Sequence, residues 1–348
     1  MIQPWLQESW QRLVGLGERL PHALLFVGPP GLGKRELAEA LAARLLCAAP
    51  ATDGHACGRC GACQLRLSGN HPDLLRIIPE ADAAADGEAE GGEPEGGKKK
   101  SAQIRIEQIR DLQDSLSVTG HQSSRRVVLV DPAEAMNPFT ANALLKLLEE
   151  PPAGCVFVLV SSAPRRLLPT IRSRCQQWSF ARPTADMLVR WLRDEPDADD
   201  KLLAVTGGMP LAARRLARDG AGPLIRRFVR DIAQLPGTDP LRLAAQWDAW
   251  LKSKEALAAG LDMVQLVDWV QRWVTDLASL RLGGNARFFP DEVAVLGTLA
   301  PRASIASALT CYNELARIRR VSQHPLNARL MLEDMLLRYA RALNGPRR

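Results

Sequence analysis

The stretch "GPPGLGKRE", residues 28–36, comes within one residue of a phosphate-binding loop. Gly28, Gly31, Gly33 and Lys34 supply the parts such a loop uses: glycines that let backbone N–H groups wrap a phosphate, and an ammonium that reaches its outer oxygens. The next position, whose hydroxyl would hold Mg²⁺, is Arg35, a cation that only donates hydrogen bonds. Two readings follow from these residues alone: a cradle for the phosphates of ATP or ADP, or a glycine-rich strand-to-helix turn with no ligand.

A metal-binding acid at the end of a second strand would complete such a site. "RVVLVD" ends on Asp131, but the following position, where water activation calls for a Glu, is Pro132. Glu134 is out of register for that role, and Asp131 also reads as an ordinary acid at a strand end. Two positions that hydrolysis needs therefore carry the wrong chemistry.

The cysteines point elsewhere. Cys47, Cys57, Cys60 and Cys63 follow the pattern C-x9-C-x2-C-x2-C, with glycines between the last three that permit the tight turns of a chelate. Four thiolates closing a tetrahedron make a structural Zn²⁺ site with no open position for catalysis. An iron–sulfur cluster and unliganded thiols are the alternatives, and His55 or His71 could replace a ligand. Cys155, Cys175 and Cys311 stand alone. Further on, "TIRSRCQQW" presents Arg172 and Arg174 with no local acid at helical spacing. A surface arginine is the plain reading; a guanidinium able to stabilise phosphoryl-transfer charge in a neighbour is the other.

The elements that must position these residues are legible from periodicity. "HALLFVG", "RVVLVD" and "CVFVLVSS" are buried strands, and "RELAEALAARLLC" is a helix directly after the glycine loop. "NPFTANALLKLLEEPP" has Asn137 as N-cap, Pro138 in the first turn, an apolar face of Ala141, Leu144, Leu145 and Leu148, and Pro151-Pro152 as its stop. A helix with Ile106, Ile109, Leu112 and Leu116 on one side precedes "RVVLVD". Residues 80–102, rich in Gly, Ala and Glu without an apolar face, are expected to be a disordered acidic surface loop. Past about residue 180 strands vanish and amphipathic helical patterns follow one another to the end, with no internal repeat.

Composition sets outer bounds. With 46% hydrophobic and 24% charged residues, the 348-residue chain has the make-up of a globular protein of two or three domains. Seven cysteines with no basic-then-apolar leader at Met1 to Trp10 suit a cytoplasmic protein with thiols and metal rather than a disulfide framework. Seven of the 39 acids fall between Glu80 and Glu95; the other 32 face 45 bases, leaving the rest of the chain at +13. Such a body suits nucleic acid or an acidic partner, and equally an ordinary Arg-rich surface.

Taken together, "PHALLFVGPPGLGK", the cysteine insertion after the loop helix, "NALLKLLEEPP" and "SRC" resemble the clamp-loader branch of the AAA+ ATPases, as found in bacterial DNA polymerase III. The resemblance runs through the whole chain in order and spacing. It implies an α/β AAA+ core over 1–180, a parallel sheet with helices on both faces. Within that core it expects a zinc-binding insertion at 47–63 and the acidic loop at 80–102. A small helical lid over 181–222 and an all-α collar over 223–348 then follow.

Motor members of that branch carry Thr after the loop lysine, Asp-Glu in the second motif and an Arg on the lid. This sequence has Arg35, Asp131-Pro132 and, in "GGMPL", Leu211. The departures, together with the length and an all-α end without a long tail, point to a member that does not hydrolyse ATP.

For such a member the resemblance gives Arg174 the role of an arginine finger reaching ATP on an adjacent subunit, and matches Ser161 or Ser162 to a first sensor. It implies gamma/tau motor subunits and a delta subunit as partners in a hetero-pentameric ring, with the sliding clamp and primed-template DNA reached through the complex. The alternative is an active ATPase motor subunit. Membership of another AAA+ assembly, or a DNA-reading zinc module, would be further departures.

Overall fold

The computed structural model describes residues 2–85, 101–117, 125–195, 197, 199–322 and 327–344. The chain divides into two compact units, Met1–Pro183 and Thr184–Arg348.

The first unit is built on five strands: β1 Ala23–Val27, β2 Leu74–Ile77, β3 Arg126–Val130, β4 Cys155–Ser161 and β5 Gln176–Ser179. All pair in parallel, in the spatial order β2-β3-β4-β1-β5. The apolar runs ALLFV, RVVLV and CVFVLVS become the three central strands, because a parallel strand covered on both faces has no solvent side to leave polar. The polar sequence QQWS forms an edge strand.

Chain order reverses beside β1, and in open sheets of this kind ligands bind at the carboxyl ends of the strands flanking such a reversal. The glycine loop leaves β1 at that end. It opens into the helix Lys34–Leu46, with Gly31 and Gly33 at φ 76° and 98°, a left-handed backbone that residues with a side chain rarely adopt.

The helix Pro138–Glu149 starts and stops as its sequence dictates. The Asn137 side chain accepts from the Thr140 N–H at 2.9 Å, and the Thr140 hydroxyl in turn donates to the Ile104 carbonyl at 3.2 Å. Its core side joins Leu112 and Leu116 of the helix Ile106–Ser117 in a cluster with the strands.

The acidic segment differs from expectation at its base. Glu80–Ala85 is helical rather than disordered, and the Ala81 N–H donates to the Ser101 carbonyl at 3.1 Å. Glu80 also forms an ion pair with Arg105. Glu80 and Asp82 in the first turn suit the positive end of a helix, and the cross-loop bonds close the segment's base. The rest of that acidic run, 86–100, lies outside the described residues.

Among the described residues the second unit holds helices and no strand. Its core is aromatic: Phe228, Trp247, Trp269, Trp273 and Tyr339 are essentially fully buried, and the Trp273 indole N–H donates to the Tyr339 hydroxyl at 2.9 Å. Leu202, Ala213 and Leu216, from the segment expected as a lid, share this cluster with residues of the segment expected as a collar. Buried Asp276 accepts backbone N–H bonds from Arg287, Phe288 and Phe289 at 2.7–2.8 Å, pinning the loop that follows the helix Met263–Arg281. No single helix among the described residues is long and apolar enough to cross a membrane.

Candidate functional site

At the end of β1 the glycine loop folds tightly. A Cβ on Gly28 would stand 3.1 Å from Leu32 Cδ2 and 3.2 Å from the Phe180 carbonyl oxygen, so the loop's first residue has little room for a side chain. The Trp5 indole N–H donates to the Leu32 carbonyl at 2.8 Å, fastening the N-terminal segment to the loop. Nothing in the glycine pattern announces that contact, although an otherwise unexplained Trp near the start was its one available signal.

Lys34 is buried, and its ammonium donates to the Pro29 carbonyl at 2.8 Å and to the Ser162 hydroxyl at 3.0 Å. Burial holds its pKa below the usual lysine value, against the opposing pull of Glu134 and Asp131. Of the two candidate sensors, Ser162 meets the loop lysine. Ser161 is buried at the end of β4, where its hydroxyl accepts from the Ala163 N–H at 3.2 Å.

Arg35 and Asp131 meet directly, with Nε 3.1 Å from Oδ2. A permanently charged guanidinium thus lies against the carboxylate that would hold a metal, on the residue that replaces the metal's hydroxyl ligand. Burial nevertheless pushes the Asp131 carboxyl up to about 6, with Arg35 and then Lys34 drawing it down. Glu134 is held through one oxygen: its Oε1 accepts from the Ser162 and Ala163 N–H groups at 2.9 and 3.1 Å, tying the loop after β3 to the loop after β4, while Oε2 is buried without a hydrogen-bond partner among the described residues.

The four cysteines converge as their spacing predicts. Their sulfur atoms all lie within 4.8 Å of one another, with Cys47–Cys60 at 3.9 Å and Cys57–Cys63 at 4.0 Å. Thiolates at the usual Zn–S distance of about 2.3 Å around a tetrahedral ion would be about 3.8 Å apart, so the cluster is compatible with a structural zinc.

Backbone N–H groups point at two of the sulfurs. The Cys57 N–H lies 3.2 Å from Cys47 Sγ and the Cys60 N–H 3.4 Å from Cys57 Sγ. Backbone donors draw Cys60 down to about 6, whereas burial drives Cys63 up to about 12. Neither histidine belongs to the cluster. His55 stacks on Trp10 with ring centroids 5.0 Å apart, and His71 accepts from the Asp73 N–H through Nδ1 at 3.1 Å. The loop before Cys57 is clasped by Arg44, which donates to the Gly54 carbonyl, and by Trp10, which donates to that of Asp53.

Arg174 ends the short helix Pro169–Arg174 and is not the unpaired arginine that its sequence neighbourhood suggests. It forms an ion pair with Glu149, the last residue of the helix Pro138–Glu149, and also donates to the Thr170 carbonyl at 3.2 Å. The partner was invisible because it lies in another element, outside any local spacing rule.

Comparison with known proteins bears on the whole chain. Residues 3–184 match the family described as "DNA polymerase III, delta subunit", and residues 241–341 match its C-terminal domain. The DNA polymerase III subunit delta′ of Pseudomonas aeruginosa is 37% identical over an alignment of 358 positions, covering 99% of both chains. That of Escherichia coli is 30% identical, covering 96% of this chain and 94% of its own. A gamma/tau subunit of Mycobacterium tuberculosis is 36% identical over 162 residues, 47% of this chain and 25% of that one. The agreement of both domains and of near-complete alignments places the chain in the delta′ family of DNA polymerase III subunits.

Proposed function

We propose that this chain is a clamp-loader subunit that does not hydrolyse ATP itself and that lends Arg174 to a nucleotide held by a neighbouring motor subunit. The observation that carries the reading is the Arg35–Asp131 ion pair. A hydrolytic loop needs a divalent cation between its hydroxyl and its acid, and here the protein's own cation takes the acid. Pro132 takes the place of the water-activating Glu, and Glu134, three residues past Asp131, is tied through Oε1 to the Ser162 and Ala163 N–H groups. Gly28, Gly31, Gly33 and Lys34 retain the shape of a phosphate cradle, so ATP or ADP binding without turnover fits the same site.

On this reading residues 181–222 act as a lid and 223–348 as the collar. The partners are gamma/tau and delta subunits in a hetero-pentameric ring that opens the sliding clamp on primed DNA in the cytoplasm. Zn²⁺ held by Cys47, Cys57, Cys60 and Cys63 would fix the module's fold and supply no reaction step. Arg174 would stabilise charge on the transferring phosphoryl group, an effect worth roughly 10³–10⁵ in turnover where such fingers have been removed.

The test is DNA- and clamp-stimulated ATP turnover by a reconstituted loader carrying either the natural chain or Arg174→Ala, with the isolated chain as control. A silent isolated chain and a sharp loss with Arg174→Ala are expected. Turnover by the isolated chain, or full activity of an intact Arg174→Ala complex, would overturn the proposal.

A further inference from the structure

Glu149 occupies a place that local helix electrostatics disfavours. Pro151-Pro152 stops the helix Pro138–Glu149, which leaves an acid at the negative end of the helix dipole. Arg174 lies at the end of Pro169–Arg174, where a cation is favoured, and the two helices pack together. Their ion pair offsets the unfavourable placement of Glu149 and fixes the guanidinium from one side, while the Thr170 carbonyl holds it from its own helix.

A long arginine side chain loses considerable rotamer freedom on engaging a ligand, and a planar fork held in advance loses less. One guanidinium carries five N–H donors, so engagement by one carboxylate and one carbonyl still leaves donor capacity for an oxyanion. The exposure of both partners, 35% and 45% of their side-chain surface, keeps the pair within reach of an incoming subunit.

We infer that Glu149 is a positioning residue for Arg174, ordering the guanidinium before the neighbouring subunit's nucleotide meets it. This rests on the arginine-donor reading above, and acts through Arg174 without contacting the nucleotide. The neighbouring acid supplies an internal contrast: Glu150 sits one residue on and forms no ion pair among the described residues.

The experiment is a double-mutant cycle in the reconstituted loader. ATP turnover is measured for Glu149→Gln, Arg174→Ala, the double variant and Glu150→Gln, with subunit incorporation checked for each by gel filtration. Glu149→Gln is expected to lower kcat about two- to tenfold, the range for losing the pre-ordering of one long side chain. The KM for ATP should stay unchanged, because the arginine acts on transition-state charge. In the Arg174→Ala background Glu149→Gln should have no further effect, and Glu150→Gln should behave as the natural chain.

Equal losses from Glu149→Gln in both backgrounds would show that it acts through something other than Arg174. An equal loss from Glu150→Gln would assign the effect to net charge rather than to the pair. Unchanged or raised turnover with Glu149→Gln would overturn the inference even if Arg174→Ala is inactive. Full activity of Arg174→Ala would instead fell the arginine-donor reading and this inference with it.

Discussion

Replacing Arg35 with Thr puts a hydroxyl after the loop lysine and removes the cation that lies 3.1 Å from Asp131. The magnitude follows from Coulomb's law. A divalent ion about 4 Å from that guanidinium meets a repulsion of about 2 kcal/mol at the dielectric constant of water, and about 8 kcal/mol at an effective value of 20. Arg35 keeps 43% of its side-chain surface exposed, which favours the lower figure. Even that amounts to about a 30-fold weakening of Mg²⁺ at this acid.

The assay is thermal unfolding of the isolated chain with ADP or ATP, in Mg²⁺ and in EDTA, for the natural sequence and for Arg35→Thr. A ligand that binds only the folded state raises stability by about 2.7 kcal/mol at 100 times its dissociation constant, a shift readily read as a higher midpoint. The natural chain should show no midpoint gain specific to Mg²⁺, and Arg35→Thr should acquire one without acquiring turnover, because Pro132 remains. The same Mg²⁺ dependence in both chains, or none in the variant, would refute the argument that Arg35 stands in for the metal.

Three further outcomes are expected. Asp131 carries a folded-state pKa of about 6 against 3.8 for the free side chain, so between those values the folded state holds a proton that the unfolded state has lost. Stability should therefore fall as pH rises through that window, by at most about 3 kcal/mol, and denaturant titrations of Asp131→Asn should lack that slope. Asp276→Ala orphans three backbone N–H groups and should cost about 3–6 kcal/mol, read as a lower urea midpoint; a change below about 1 kcal/mol would mean that Asp276 does not hold the loop. Elemental analysis of the chain purified under reducing conditions should find one zinc ion per chain, lost in Cys60→Ser, with faster proteolysis of the clasped loop between Cys47 and Cys57. Full occupancy in that variant would show that Cys60 is not a ligand.

How much of this was legible in the sequence depended on how far apart the interacting residues lie. Buried strands announced themselves as apolar runs, and the helix Pro138–Glu149 carried its cap and stop in its own letters. The cysteine cluster needed only ligand type and close spacing, so all four sulfurs were found. The acidic base was misread because composition describes a segment's average burial. It says nothing of the bonds to Ser101 and Arg105 that close Glu80–Ala85.

The sequence by itself determined which chemistry the site lacks: a donor-only cation after Lys34 and a proline after Asp131 are statements about atom types, true in any fold. Only the tertiary structure decided what those atoms do instead. Arg35 lies against Asp131, Lys34 donates to Ser162 across 128 residues of sequence, and Arg174 reaches Glu149. Such pairings depend on which strand ends and helix ends the parallel sheet brings side by side. No local period records that, because the chain between the partners is free to vary while the pairing of strands fixes where its ends emerge.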